Sequence, residues 1–181
     1  PINMGRYGPN VAIPLILETY RRLDVQQSFF LPGWCIETYP DAVEAILKGG
    51  HEIGHHGYLH EDPIEGPDQR YWFERALTAY RKYCGGTPAG YRAPVYNINQ
   101  EVVDLLVEHG FRYESSMMAD DIPYQVETAK GSFWEMPVHW GTDDWPPFAH
   151  YAEIGYMMPV KAPSVGLGAF WEEFDATYEA G

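Results

Sequence analysis

Four of the seven histidines in this 181-residue chain, His51, His55, His56 and His60, stand in one ten-residue run, His-Glu-Ile-Gly-His-His-Gly-Tyr-Leu-His. Neutral imidazole is a preferred ligand of zinc and related divalent cations. His56 and His60, with three residues between them, can turn ring nitrogens to one point. A catalytic zinc takes three protein ligands and leaves a position for water, so a further donor is required. His51 and His55 read as structural, because on an alternating strand His55 points away from His56. Glu52, Glu61 and Asp62 are acidic neighbours able to serve as ligand or base, in a chain that has many carboxylates.

Arg92, in Tyr-Arg-Ala-Pro, stands before a proline-locked turn, where a guanidinium can hold a carboxylate in a bidentate pair. Asp143 and Asp144, followed by Trp145-Pro146-Pro147, offer carboxylate partners for Arg92 and an indole wall for a sugar or small apolar group. Cys35 and Cys84 are the only cysteines, too few for a disulfide framework and compatible with a reducing compartment. A buried structural thiol is the better reading of Cys35 than a nucleophile. Gly-x-Ser-x-Gly, Gly-x-Gly-x-x-Gly and phosphate-loop patterns are absent, which leaves serine-nucleophile, dinucleotide and NTP chemistry without support.

These residues need a scaffold, and hydropathy periodicity supplies one. Helices are expected over 9–23, 41–48, 71–83, 101–109 and 170–178, with Pro40 opening the second, Gly49-Gly50 closing it, and Asn99 capping the fourth. Strands are expected over 27–31, 51–56, 90–92, 111–115 and 133–140, and long loops over 117–124 and 145–164. Alternating helices and strands with short connections indicate a parallel sheet wound by crossover helices, either a (β/α) barrel or an open doubly wound sheet. In both, ligands gather at the carboxyl ends of the strands, where the histidine run and Arg92 fall. The alternation opens on a helix and the chain is shorter than a typical barrel, so at least one strand is expected before Pro1 and others after Gly181.

Composition narrows the partners. The chain carries 12 Lys+Arg against 26 Asp+Glu, a formal charge of −14, which disfavours nucleic acid and anionic lipid. No apolar stretch approaches the roughly 20 residues of a membrane span. With 45% hydrophobic and 21% charged residues, the chain is expected to fold as one domain over 1–181.

Taken together, Gly-Arg-Tyr-Gly-Pro at 5–9, Ser-Phe-Phe-Leu-Pro-Gly-Trp at 28–34, the histidine run with its flanks at 50–61, Gly-Tyr-Arg-Ala-Pro at 90–94 and Asp-Asp-Trp-Pro at 143–146 resemble the polysaccharide deacetylase family, which shares a NodB homology domain. The likeness is greatest to its intracellular peptidoglycan-deacetylase-like branch, which includes allantoinase-like and cyclic-imide-hydrolysing enzymes. It implies an α/β fold, a distorted (β/α) barrel of the NodB type, incomplete in this chain, and a metal held by two His and one Asp. By that resemblance His56 and His60 are metal ligands for zinc or another divalent cation, and Arg92 orients the catalytic Asp. Asp144 is a catalytic-site carboxylate that partners Arg92, Trp145 forms a wall of the acyl pocket, and Trp145 and Tyr96 bind substrate. Position 95, commonly aromatic in the family, is Val here.

The family reaction has water, activated at a metal and deprotonated by Asp, attack an amide carbonyl while a protonated His assists the departing amine. The Asp-bearing first strand and the His-bearing last strand are expected outside residues 1–181. The implied function is metal-dependent N-deacetylation of acetylated amino sugars such as peptidoglycan. The alternatives are hydrolysis of a small cyclic amide, a metal-free amidohydrolase, or a carbohydrate-binding relic without turnover. The resemblance also implies a cytoplasmic homo-oligomer.

Overall fold

The structure is a computed structural model that describes residues 4–63, 68–148 and 161–180, in two units, 1–137 and 138–181. In the first unit each expected helix has formed, with the punctuation that its sequence supplies. Helix α1 (Ile13–Leu23) continues a π-helical turn, tolerates Pro14 in its first turn, and stops where Asp24 turns left-handed. A short helix, α2 (Gly33–Thr38), had no periodic signal of its own and lies where the sequence suggested only a strand end. Helix α3 (Pro40–Lys48) follows, then α4 (Gln69–Tyr83), whose first turn is capped by Asp68 accepting from the Tyr71 N–H at 3.0 Å. The expected Asn99 cap heads α5 (Gln100–Glu108), Oδ1 accepting from the Val102 N–H at 3.0 Å.

The strands are β1 (Ser28–Leu31), β2 (Glu52–His55), β3 (Gly90–Tyr91), β4 (Tyr113–Glu114), β5 (Tyr124–Thr128) and β6 (Gly131–Glu135). They form one sheet in the order β1-β2-β3-β4-β6-β5, parallel except for the antiparallel β5–β6 hairpin, and among the described residues the sheet does not close on itself. Two expectations are corrected here. The segment 117–124, read as a loop, ends in the start of β5. The strand read over 133–140 is β6, which begins earlier and stops at Glu135, two residues before Pro137, which has no ladder donor.

The period of two divides the sheet's residues between two environments. Phe29, Leu31 and Ile53 pack with Ile36, Val43 and Ile46, while Tyr91 and Phe133 pack with Phe73, Leu77, Leu105 and Leu106. Each such burial is worth about 1.5–3 kcal/mol, and these two clusters fix the helices on one face of the sheet. The alternate positions Ser28, Phe30, Glu52, Arg92, Tyr113 and Ser115 line a cavity of about 570 Å³ on the other face. Gly90 is required there, because a Cβ would fall 2.0 Å from the Tyr113 ring.

In the second unit, a 3₁₀ turn (Trp140–Thr142) precedes α6 (Trp145–Phe148) and α7 (Pro163–Ala180), which is longer than the helix expected over 170–178. The loop expected over 145–164 is helical at its described ends, and its middle, 149–160, lies outside the described residues. Among the described residues no helix is long and apolar enough to cross a membrane.

Candidate active site

His56 and His60 come together as the sequence expected, their ring centroids 4.9 Å apart and their planes at 73°. His56 follows β2 directly, and its Nδ1 lies 2.7 Å from the Arg92 carbonyl oxygen. A carbonyl can only accept, so Nδ1 carries the hydrogen and Nε2 keeps a free lone pair, the tautomer a metal-binding histidine needs. Burial pushes the His56 pKa down to about 4, outweighing the carbonyl bond that favours the charged form, with the charges of His60 and Arg92 adding to the drop. The ring is neutral at physiological pH.

The loop that brings His60 back is built for the purpose. Gly57 takes φ +65, and a Cβ there would meet Glu61 Oε1 at 2.7 Å. The Glu61 carboxylate accepts from the Tyr58 N–H at 2.9 Å and the Leu59 N–H at 2.6 Å, so it is a loop cap. Asp62 accepts from Asn97 Nδ2 at 2.7 Å. The first amides of α2 complete the cradle: Gly33 N–H donates to the Gly57 carbonyl at 2.9 Å and Trp34 N–H to the Tyr58 carbonyl at 3.0 Å. His60 itself holds φ +63, a left-handed backbone conformation uncommon outside glycine.

His51 and His55 are structural, as read. His51 Nδ1 accepts from the Gln27 N–H at 3.2 Å. His55 is buried against Phe73 with Nε2 3.0 Å from the Phe73 carbonyl, and burial pushes its pKa down to about 3. Glu52 lines the cavity and accepts from Ser28 Oγ at 2.5 Å and the Tyr113 hydroxyl at 2.8 Å. Burial raises the Cys35 thiol and pushes Cys84 up to about 11, so neither is an activated nucleophile.

Arg92, half-buried, donates from Nε to the Ser115 carbonyl at 2.8 Å and from Nη2 to Ser115 Oγ at 2.6 Å, with its Cζ 4.5 Å above the Phe30 ring. Tyr96 lies with its ring 5.9 Å from the same Cζ, at the end of a tight turn in which Val95 and Tyr96 hold φ +57 and +59. Asp144 and Trp145 belong to the second unit, where Asp144 is exposed and the Trp145 N–H donates to Asp143 Oδ1 at 2.6 Å. Sequence reading missed Ser115, Ser116, Glu114 and Glu135. The signal for them was two acidic residues inside otherwise aromatic strands, Glu114 followed by Ser-Ser and Glu135 after Phe-Trp.

The donor chemistry of His56 and His60 suits two positions on a divalent cation. Among the described residues, the one set of three close metal-type donors is Glu74, Glu108 and His109. Those carboxylates already face a cation, because Arg70 donates to Glu108 at 2.8 and 2.9 Å and to Glu74 at 3.1 Å.

A mostly parallel sheet backed by helices thus carries a paired-histidine loop and an arginine at the carboxyl ends of its strands. The family model for polysaccharide deacetylase matches residues 7–114, and the chain belongs to that family. Its fold is that family's distorted barrel, here with an open sheet. A peptidoglycan deacetylase of Helicobacter pylori is 28% identical over 98% of this chain and 69% of its own length. A Mycobacterium smegmatis protein assigned as a polysaccharide deacetylase superposes with a TM-score of 0.91 at 34% identity, covering 97% of this chain and 62% of that one. The Puue allantoinase shares the fold, with a TM-score of 0.83 at 20% identity over 99% of this chain and 59% of its own. The chain thus spans about six tenths of the length of these two solved relatives.

Proposed function

We propose that this chain carries the metal-holding centre of a hydrolase that removes acetyl groups from the amino sugars of peptidoglycan-type polymers. The observation that carries the reading is the His56 ring, locked by the Arg92 carbonyl so that a neutral Nε2 is presented beside His60. These two imidazoles would hold a divalent cation, zinc by its affinity for nitrogen donors, which supplies Lewis acidity toward an amide carbonyl and water. Arg92 contributes orientation: two of its donors are spent on Ser115, which fixes the plane of the guanidinium for a carboxylate. Tyr96 offers a ring near that guanidinium for the substrate. Asp144 as a catalytic carboxylate and Trp145 as a substrate contact enter through the family resemblance alone, as do a cytoplasmic location and a homo-oligomer.

The test uses the full-length protein, with zinc content by elemental analysis and two assays side by side: acetate release from acetylated glucosamine oligomers and hydrolysis of small cyclic amides. His56→Ala is expected to lose metal and acetate release together. Metal retained in that variant with an unchanged rate would overturn the assignment of the site. Turnover of cyclic amides in place of acetylated oligomers would overturn the substrate class and leave the metal site standing.

A further inference from the structure

Glu114 on β4 and Glu135 on β6 are register partners in adjacent strands, and neither side chain has exposed surface. Two buried carboxylates at such proximity cannot both stay ionised without a cation. Among the described residues no Lys, Arg or His pairs with either one. The titratable groups that interact with the pair from neighbouring elements are the phenols of Tyr91 on β3 and Tyr124 on β5. Helix α5, packed on β6, turns Val102, Leu105 and Leu106 inward.

The hydrogen bonds show what the pair holds. Glu114 Oε2 accepts from the Ser116 N–H at 2.9 Å, and Glu114 Oε1 accepts from the Ser116 hydroxyl. Glu135 Oε1 accepts from the Ser116 and Met117 N–H groups, both at 3.1 Å, while its Oε2 receives no donor among the described residues and is the oxygen free to carry a proton toward the Glu114 carboxylate beside it. The Ser116 hydroxyl in turn accepts from the Ala93 N–H at 2.7 Å. An unbroken chain therefore runs from the carboxyl pair through Ser116 to the residue after Arg92, while adjacent Ser115 grips the Arg92 guanidinium.

We propose that Glu114 and Glu135 share one proton, with Glu135 the acid, and act as positioning residues that fix the Ser115–Ser116 turn and thereby the Arg92 guanidinium. The inference that this matters for catalysis rests on the reading of Arg92 given above; the state of the pair does not. Burial, then the neighbouring Glu114 carboxylate, pushes the Glu135 pKa up to about 9. A carboxyl raised in the folded state binds a proton that the unfolded chain has already released, so this group's contribution to stability declines from about pH 4.5 up to about pH 9 and is level beyond.

The two glutamates are not equivalent, which makes the idea testable. In Glu135→Gln the amide oxygen can take over both N–H acceptances and the NH₂ can replace the acid hydrogen. In Glu114→Gln an NH₂ either faces the Ser116 N–H, donor against donor, or turns to Ser116 Oγ, which can accept it only by withdrawing its own donation to position 114.

The experiment is carried out on the full-length protein. Infrared spectra of the wild type are expected to show a buried carboxylic-acid carbonyl band at pH 7 that titrates near pH 9 and is lost in Glu135→Gln. The Arg92 Nε–H, followed by NMR, is expected to be protected from exchange at pH 7 in the wild type and in Glu135→Gln. It is expected to lose that protection above pH 9 in the wild type alone, and at pH 7 in Ser116→Ala. In activity, Glu114→Gln is expected to lower kcat at least about tenfold, the usual scale for a supporting group, while Glu135→Gln removes only the alkaline limb of the pH profile. Absence of the acid band in the wild type, or protection of Arg92 unchanged in Ser116→Ala, overturns the proposal. If the band and the protection behave as stated and no deacetylation is found, the failure belongs to the functional reading.

Discussion

Replacing Arg92 by lysine tests how the candidate site is held. The guanidinium makes two hydrogen bonds to one residue, Nε to the Ser115 carbonyl at 2.8 Å and Nη2 to Ser115 Oγ at 2.6 Å, and lies 4.5 Å over Phe30. Lysine keeps the charge but offers a point donor in place of a fork. It loses at least one charge-assisted hydrogen bond, about 1.5–3 kcal/mol, and part of a ring contact worth about 0.5–1 kcal/mol. Ser115→Ala removes the Nη2 acceptor and also the donor to the Met136 carbonyl at 2.8 Å. Ser115 and Met136 both line the cavity, so water takes the vacated place at modest cost. Each single variant should then cost about 2–3 kcal/mol, about 4–12 °C in Tm for a chain of this size. The double variant should cost less than the sum by the energy of the shared bond, about 1.5–3 kcal/mol. Urea unfolding of the four proteins measures the cycle. Additivity within about 0.5 kcal/mol would refute the account of Ser115 as the anchor of Arg92.

Two further outcomes are expected from the backbone and the buried imidazoles. Val95 is β-branched, half exposed and left-handed at φ +57, so Val95→Asn should raise stability by about 1 kcal/mol, seen as an increase of about 2–4 °C in Tm; an unchanged or lower Tm contradicts the strain. His55 is held neutral, its pKa pushed down to about 3, whereas the unfolded chain protonates it near 6.5. Below that pH the unfolded state gains a proton that the fold refuses, so the stability of the wild type relative to His55→Gln should fall as pH drops from about 6.5 to about 3. Urea midpoints measured for both across that window check the sign, and a constant difference between them refutes it.

Much of this architecture could be read from the chain because its punctuation is local. Pro40, Gly49 and Asn99 bound helices through effects confined to one turn, and α3 and α5 lie where those residues place them. Helix α2 could not be read this way: six residues carry no amphipathic period, and its amides are satisfied at the Gly57 and Tyr58 carbonyls of another segment. The β5–β6 hairpin was missed because its two-residue turn, Ala129-Lys130, lacks the Asn-Gly or Asp-Gly signal. His56 and His60 were legible because both donors sit in one loop. The carboxyl pair was not, because Glu114 and Glu135 lie twenty-one residues apart and meet only through strand register.

The site's logic follows from that register. Successive residues at the end of β2 and just beyond it face opposite sides, so His55 is spent on the helix-side core, where it is buried against Phe73, while His56 is free to face the Arg92 carbonyl. The same alternation at the end of β4 puts Glu114 and Ser116 on the buried polar network and leaves Ser115 between them, on the cavity side with Arg92. One strand end thus joins a buried acid pair to a solvent-accessible guanidinium within three residues. A substitution that slipped β4 by one position would exchange those faces, carrying Ser115 away from Arg92 and Glu114 into the cavity, and the site would be lost even with every helix in place.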